Sequence, residues 1–226
     1  MANLLIIGAS KGIGLTATTF ALQRGHRVTA FSRRASSIPL QHPDLQVFTG
    51  DALRQKDVVA ALGGVEAVIM TLGIRPSLRR TLRPVSLFSE ATRILLKAMA
   101  GTGIRRLVAV TGLGASESRS AIPQLARPAF DLALGNAYDD KGRQERLIAN
   151  SDTDWTLVRP GILTDEAATD GYAILDDPAT WGPGLTSRHD VGAFAVICAA
   201  GMDYVGRAPV ILTRKLGCRR KMGRRW

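Results

Sequence analysis

A glycine-rich turn near the start of the chain has the residue spacing of an anion-binding loop. An apolar run at residues 4–7 predicts a buried strand, and a helix is predicted over residues 12–24. Between them lie Gly8, Gly12 and Gly14, which let the chain reverse tightly and let a ligand approach a backbone without Cβ atoms. The helix start adds free amides and a positive dipole end, which attract phosphate. The sequence therefore predicts a diphosphate-binding turn; a purely structural turn is the alternative.

Two arginines follow the second predicted strand, which covers residues 28–31. Sites that bind NAD place an Asp or Glu there to hold the ribose 2′-hydroxyl, whereas this chain has Arg33 and Arg34 and no acidic residue before Asp44. Planar guanidinium groups match phosphate oxygens, and Lys11 adds positive charge beside the glycine turn. The pattern favours NADP(H) over NAD(H); the alternative is a solvated basic turn.

Two aspartates adjoin predicted helices. Asp51 follows the third predicted strand, where its carboxylate either accepts a hydrogen bond from an adenine amino group or caps the next helix. Asp190 follows His189 as in a catalytic triad, but the chain has no G-x-S-x-G motif to supply the nucleophile. We therefore interpret Asp190 as the N-cap of a helix that begins at Val191.

Apolar runs alternate with helical patterns along the whole chain. We predict strands at residues 4–7, 28–31, 45–48, 67–71, 106–110, 155–158 and 209–212, and helices at 12–24, 57–62, 86–100, 139–150 and 191–200. Continuous apolar strands separated by helices indicate a parallel sheet covered on both faces. The predicted fold is therefore an α/β doubly wound parallel sheet, a Rossmann fold, in a single domain over residues 1–213. Two irregular segments, residues 112–137 and 163–188, are expected to form the walls of a substrate pocket.

Composition and charge argue against several classes of protein. Of the net charge of +11, seven positive charges fall in residues 214–226, a segment without acidic residues that is predicted to be a disordered tail. The remaining charge is modest, so we expect no nucleic-acid partner. The two cysteines and three histidines are scattered, which predicts no metal site. Apolar runs are too short for a membrane span and the N-terminus does not resemble a secretory signal, so a reduced cytoplasmic setting is expected.

Short motifs along nearly the whole chain resemble those of one enzyme group. They are the glycine turn, Arg33, Gly50-Asp51, Leu72-Gly73-Ile74-Arg75, Val108-Ala109-Val110-Thr111, Asp139-Asp140-Lys141, Trp155-Thr156-Leu157-Val158-Arg159-Pro160-Gly161 and Ser187-Arg188-His189-Asp190-Val191. In order and spacing the chain resembles the atypical short-chain dehydrogenase/reductases of the NAD(P)H-binding, NmrA-like group, nearest the biliverdin-IXβ reductase/flavin reductase type. The resemblance implies an oxidoreductase that uses NADP(H) on a small-molecule substrate. We expect a monomer or a homodimer.

The glycine turn, the basic pair and the resemblance together define a set of expected cofactor contacts. That set is Gly8, Ser10, Lys11, Gly12, Ile13, Gly14, Arg33, Arg34, Asp51, Ala52, Thr71, Leu72, Gly73, Arg75, Pro160, Gly161 and Ile162. The resemblance implies that the last three hold the nicotinamide carboxamide through backbone groups. It also implies that Arg75 assists with phosphate or an anionic substrate; an ordinary exposed arginine is the alternative.

Three residues are candidates for catalysis: Thr111, Lys141 and Tyr138. The resemblance places Thr111 beside the nicotinamide, where it would bond a substrate carbonyl or the carboxamide, with a strand-end cap as the alternative. Lys141 would bind the ribose or tune a proton donor, with a surface pair to Glu145 as the alternative. Typical short-chain dehydrogenases have a Tyr four residues before the Lys. Here Ala137 holds that position and Tyr138 lies three residues before, which departs from the usual acid mechanism.

Three functions are compatible with the sequence. The first is an NADPH-dependent reductase that transfers hydride to a conjugated acceptor such as a flavin, a quinone or a tetrapyrrole, since such acceptors need little help from a protein acid. The second is an NmrA-like redox sensor that binds NADP without turnover. The third, a sugar-nucleotide epimerase or dehydratase, usually needs a longer chain and the normal Tyr–Lys spacing. The sequence does not identify the acceptor.

Overall fold

The computed structural model describes residues 1–74, 84–169 and 171–215. The strands are β1 Asn3–Ile7, β2 Arg27–Ser32, β3 Leu45–Thr49, β4 Ala67–Met70, β5 Arg106–Val110, β6 Asp154–Pro160, β7 Ile162–Thr164, β8 Ala173–Leu175, β9 Gly184–Ser187, β10 Val210–Leu212 and β11 Arg214–Lys215. The α-helices of this part of the chain are α1 Gly12–Gln23, α2 Gln55–Ala61, α3 Leu87–Thr102, α4 Arg127–Ala149 and α5 Arg188–Ala200.

The main sheet has eight strands in the order β3-β2-β1-β4-β5-β6-β10-β8. Every neighbouring pair is parallel except β10 with β8, which is antiparallel. The order runs outwards from β1 in both directions, so the carboxyl ends of β1 and β4 leave a crevice between connections that turn opposite ways. The predicted α/β doubly wound sheet in a single domain is confirmed.

Alternating side chains of each strand build two cores, one on either face of the sheet. Leu4 and Ile6 of β1 lie in the core that includes α1 and α5, whereas Leu5 and Ile7 lie in the core on the opposite face with α2, α3 and α4. All four are fully or almost fully buried. Burial on both faces explains why these strands read as continuous apolar runs. It also fixes the carboxyl ends of the strands that carry the site.

The first expected pocket wall is more helical than the sequence predicted. Helix α4 begins at Arg127 rather than near residue 139, and 3₁₀ turns at Ser116–Ala121 and Gln124–Ala126 precede it. The early half was missed because Gly135 weakens a helical pattern by about 1 kcal/mol relative to alanine. Contacts of Arg119 with the Asp131 carboxylate and the Phe130 ring hold this early half against the preceding 3₁₀ turn.

The second expected wall contains three short strands that the sequence analysis missed. Strands β7 and β9 pair in parallel, and β11 pairs antiparallel with β9, which makes a separate three-stranded sheet. Strand β8 instead extends the main sheet. Because β11 consists of Arg214 and Lys215, ordered structure continues two residues past the predicted start of the tail. Residues 216–226 lie outside the described part of the chain, and their disorder stays a prediction.

Candidate functional site

A large cavity opens where the strands of the main sheet end. Its volume is about 990 Å³, the upper end of the usual range for ligand pockets. The walls include residues at or just after the ends of β1, β2, β4, β5 and β6, namely Ile7, Ser32, Thr71, Thr111 and Pro160. This is the position at which doubly wound sheets bind ligands.

The glycine turn forms one end of the cavity, and its geometry depends on the absence of side chains. Gly8 has φ of +94°, and a Cβ on it would stand 3.0 Å from the Thr71 carbonyl oxygen. A Cβ on Gly14 would overlap the Gly8 carbonyl and lie 2.6 Å from Thr71 Oγ1. Gly12 also has a positive φ, and the extended Lys11 precedes α1 without a side-chain cap. Helix α1 therefore starts directly beside β1 and β4, with its first amides available to an anion.

Only two of the three basic residues that are predicted to favour NADP(H) over NAD(H) line the cavity. Arg33 and Lys11 are exposed and line the cavity. Arg34 is exposed but does not belong to the lining; its amide donates to Ser32 Oγ at 3.2 Å and so shapes the turn. Among the described residues, neither Arg33 nor Lys11 forms an ion pair. The structure thus presents two cations to whatever occupies this end.

Arg188 is a further basic lining residue to which the sequence analysis gave no role. It is the first residue of α5, and its Cδ would lie 3.6 Å from a Cβ on Gly12. Its Nη1 contacts the well-exposed Asp165 carboxylate at 2.8 Å. Residues so far apart in sequence meet because α1 and α5 pack on the same face of the sheet. The motif around Arg188 was the only sequence signal that marked it.

Most of the other expected cofactor contacts also lie on the cavity wall. They are Gly8, Ser10, Gly12, Ile13, Asp51, Ala52, Thr71, Leu72, Gly73, Pro160, Gly161 and Ile162. Gly14 does not line the cavity because it is buried in the first turn of α1, against the Gly8 carbonyl and Thr71, and Arg75 lies outside the described residues.

The two aspartates differ from their predicted capping roles. Asp51 Oδ1 accepts the Leu53 amide at 3.0 Å, which makes a local turn before α2 rather than a cap on its first residue. Asp190 is not an N-cap: α5 begins at Arg188, and Ser187 caps it by accepting the His189 amide. Asp190 is buried inside the first helical turn instead. It accepts from the Thr169 amide and hydroxyl and from Thr213 Oγ1.

Thr111 is tied into a buried charged network. Its hydroxyl donates to Glu145 Oε1 at 2.6 Å. Glu145 also forms a two-point contact with Arg159, at 3.0 Å from Nε to Oε1 and 2.8 Å from Nη2 to Oε2. Arg159 Nη2 reaches the exposed Glu117 at 2.8 Å as well. Charged residues are buried when they are paired in this way. Sequence reasoning took Glu145 only as a surface partner of Lys141, which is wrong.

Lys141 points its ammonium at the end of β5. Nζ donates to the Thr111 carbonyl at 2.8 Å and lies 4.5 Å from the centre of the Phe88 ring. Burial lowers the pKa of Lys141 to about 8, although the nearby carboxylates of Glu145 and Asp140 act in the opposite direction. The adjacent Asp140 accepts the Phe88 amide at 2.8 Å and thereby fixes α4 against the start of α3.

Tyr138 lies on the same wall, but its surroundings make its hydroxyl a weaker acid than that of a free tyrosine. Its ring packs edge-on against Phe130 with centroids 4.8 Å apart, and its hydroxyl would meet a Cβ on Gly112 at 2.7 Å. Burial, and then the charge of Glu145, raise the pKa of Tyr138. Tyr138 and Lys141 both line the cavity, but a tyrosine with a raised pKa is a weaker proton donor.

The remaining wall is apolar and comes mainly from the segment between β5 and the middle of α4. It consists of Leu113, Ile122, Pro123, Ala126, Phe130, Ala133 and Leu134, faced by Ile162, Leu163 and Pro183. The cavity thus joins a polar, cationic end at the glycine turn to a broad apolar end beyond Thr111.

A comparison with protein families decides the broader assignment. The NAD(P)H-binding family matches residues 8–200, which is most of the chain. This protein belongs to the NAD(P)H-binding family. The family assignment and the fold place it among the NAD(P)-binding Rossmann oxidoreductases.

Solved structures of this type resemble the chain over nearly its whole length. ChuY, an anaerobilin reductase from Escherichia coli O157:H7, has a TM-score of 0.79 at 26% identity and covers 96% of this chain and 99% of its own. A short-chain dehydrogenase/reductase from Veillonella parvula, solved in complex with NADP, has a TM-score of 0.78 at 18% identity and covers 96% of this chain and 95% of its own. The second likeness bears on the fold alone.

Curated relatives match shorter parts or carry no assigned activity. An uncharacterized chloroplast protein of Arabidopsis thaliana is 27% identical over 86% of this chain and 70% of its own length. A 3-beta-hydroxysteroid dehydrogenase of Mycolicibacterium neoaurum is 30% identical over 48% of this chain. The chain spans 31% of the length of that dehydrogenase.

The described residues hold neither a membrane-spanning helix nor a cluster of metal ligands. None of the helices there has both the length and the hydropathy needed to cross a membrane. The same residues bring together no group of three or more His, Cys, Asp or Glu side chains that could hold a metal ion.

Proposed function

We propose that the protein is an NADPH-dependent reductase of the atypical short-chain dehydrogenase/reductase type, acting on a conjugated small-molecule acceptor such as a flavin, a quinone or a tetrapyrrole. The observation that carries the proposal is the continuity of one cavity, from the glycine turn through Thr111 to the apolar wall around Phe130. A dinucleotide needs the first end, and a flat acceptor needs the second. When bound, the reduced cofactor supplies the hydride.

The residues present fit NADP(H). The turn at Gly8 and Gly12 leaves open backbone beside the start of α1, which suits a diphosphate. Arg33 and Lys11 are exposed cations on the wall, and Arg33 stands where an NAD site would have a carboxylate. Arg188 adds a third cation close to Gly12. These residues would bind the phosphates, and the end of β6 would lie beside the nicotinamide.

The acceptor test uses the purified chain with NADPH and a panel of flavins, quinones, a linear tetrapyrrole and simple carbonyl compounds. We expect steady oxidation of NADPH with the flat conjugated acceptors and little with simple carbonyls, since the apolar wall offers surface rather than a strong acid. Tight NADPH binding without turnover on any acceptor would contradict a reductase and support the NADP-binding sensor. Turnover with carbonyls alone would refute the acceptor class.

Replacing Arg33 tests the choice of cofactor. We expect Arg33→Ala to weaken NADP⁺ binding about 10-fold to 100-fold, since a charge-assisted hydrogen bond contributes about 1.5–3 kcal/mol. NAD⁺ binding should change little. Arg34→Ala is the matched control because Arg34 does not line the cavity; we expect an effect no larger than that of a surface ion pair, about fivefold. Dissociation constants from calorimetry decide, and equal losses for both nucleotides in Arg33→Ala would contradict this role.

Lys141 gives the activity a pH dependence. We propose that its ammonium holds the proton that the reduced acceptor takes up, at Nζ beside the Thr111 carbonyl. Because the pKa of Lys141 is about 8, kcat should fall as the pH rises through about 8, where the protonated form is lost. Lys141→Arg keeps the positive charge but cannot release a proton, so its kcat should be low at every pH and should lack this decline. A wild-type profile that stays flat between about pH 7 and pH 9 would refute the assignment.

A further inference from the structure

The hydroxyl of Thr111 has only one proton, and the protein itself uses it. Thr111 Oγ1 donates to Glu145 Oε1, and Glu145 is held as a carboxylate by its two contacts with Arg159. Arginine has donors only, and an ionised carboxylate has acceptors only. The direction of the Thr111 hydrogen bond is therefore fixed. All three side chains are at least nine-tenths buried, so water does not offer an easy alternative partner.

This direction restricts what Thr111 can recognise. A hydroxyl that donates its proton to a carboxylate keeps lone pairs and can only accept from a ligand. Thr111 is thus unsuited to donate to a substrate carbonyl, which was one of its two expected roles. Any group that hydrogen-bonds its side chain must bring its own N–H or O–H.

Neighbouring backbone groups are already engaged. The Thr111 carbonyl accepts from Lys141 Nζ at 2.8 Å, and the Pro160 carbonyl accepts the Leu113 amide at 2.9 Å. The Gly161 amide donates to Thr186 Oγ1 at 2.9 Å. Where β5 and β6 end side by side, the Thr111 hydroxyl keeps both of its lone pairs, whereas each of these carbonyls has one lone pair engaged and the Gly161 amide has donated its proton.

We propose that Glu145 is a positioning residue that sets the Thr111 hydroxyl to accept a hydrogen bond from the amino group of the nicotinamide carboxamide. The inference rests on the proposed function, since it assumes that a pyridine nucleotide occupies the cavity. Thr111 is only 4% exposed, so a small planar group seated at the floor of the cavity suits it better than a bulky acceptor on the apolar wall. Arg159 does not line the cavity and acts through Glu145.

The double variant Glu145→Leu/Arg159→Met removes the acceptor that holds the Thr111 proton. Glu145→Gln would not do so, because Oε1 accepts from both Thr111 Oγ1 and Arg159 Nε, and an amide oxygen would therefore stay at that position. In the double variant the hydroxyl proton becomes free to donate to a ligand. A purely structural role for Glu145 would instead weaken the binding of all nucleotides equally.

The test compares NADP⁺ with its 3-acetylpyridine analogue, in which a methyl ketone replaces the carboxamide and no amino group remains. Calorimetry on the full chain should show that wild type prefers NADP⁺ about fivefold, the value of one ordinary hydrogen bond. Thr111→Val should lower that ratio to about one, and Thr111→Ser should retain it. The double variant Glu145→Leu/Arg159→Met should lose or invert the preference, because the freed proton favours the ketone.

Two results overturn the inference: equal wild-type affinity for the two nucleotides, or an unchanged ratio in Thr111→Val. If the double variant does not fold, the Val and Ser variants at position 111 still decide, since both keep the Glu145–Arg159 pair. Failure of the proposed function looks different. In that case neither nucleotide binds to folded wild-type protein, whereas failure of this inference alone leaves tight binding without discrimination.

Discussion

Gly14→Ala should abolish measurable nucleotide binding and lower the stability of the fold. The added Cβ would overlap the Gly8 carbonyl and stand 2.6 Å from Thr71 Oγ1, and both neighbours are fixed. Thr71 Oγ1 donates to the Ile7 carbonyl at 2.9 Å, so it cannot retreat without giving up that bond. Helix α1 must therefore move away from β1 and β4, which removes its first amides from the diphosphate position. Overpacking of this kind costs about 1–3 kcal/mol of unfolding free energy.

The measurements for Gly14→Ala are nucleotide titration and urea unfolding. Binding of NADP⁺ should weaken by at least about 100-fold, as expected when several phosphate contacts are lost together. Gly101→Ala is the matched control, since Gly101 lies in α3 with no atom within 4 Å of its added Cβ. That control should bind normally and gain about 0.5–1 kcal/mol of stability. Unchanged binding in folded Gly14→Ala would show that the close approach of α1 to β4 is not needed.

Arg159→Met should be the most destabilising of the side-chain changes considered. It leaves the Glu145 carboxylate buried, with the Thr111 hydroxyl as its remaining hydrogen-bond partner among those seen in the structure. Breaking a buried ion pair from one side costs about 3–5 kcal/mol of unfolding free energy. Replacing both charges by apolar side chains often costs much less. The double variant Glu145→Leu/Arg159→Met should therefore recover a large part of the loss.

Urea unfolding of the two single variants, the double variant and wild type gives the coupling energy directly. Arg105→Met is the control, because Arg105 pairs with Asp154 at the surface at 3.3 Å and 61% of its side chain is exposed. Its loss should cost no more than about 1 kcal/mol. If Arg159→Met costs no more than this control, the buried pair does not hold the end of β6 as described. A double variant as unstable as the single one would likewise argue against mutual dependence of the two charges.

The sequence was sufficient for the seven parallel strands of the main sheet and for the glycine turn because both have short-range signals. Strands such as β1 and β5 are buried on both faces and therefore read as unbroken apolar runs. The turn needs glycine at Gly8 and Gly12 for backbone conformation, which no other residue type imitates well. Arg33 could be placed because it follows β2 directly.

Features that depend on tertiary contacts could not be predicted from the sequence. Nothing local separates Glu145 from other glutamates on an exposed helix, and only its contact with Arg159 explains its burial. Arg188 reaches the glycine turn through the packing of α5 on α1. The early half of α4 contacts the preceding 3₁₀ turn through Arg119, which pairs with Asp131 and lies 5.9 Å from the centre of the Phe130 ring.

The most direct test of the account is a calorimetric titration of the wild-type chain with NADP⁺ and, separately, with NAD⁺. We expect saturable heat for one nucleotide per chain, with NADP⁺ bound at least about 10-fold more tightly because Arg33 meets the 2′-phosphate. Absence of heat with either nucleotide, on folded protein, would contradict the central claim that the cavity beside the glycine turn holds a pyridine dinucleotide.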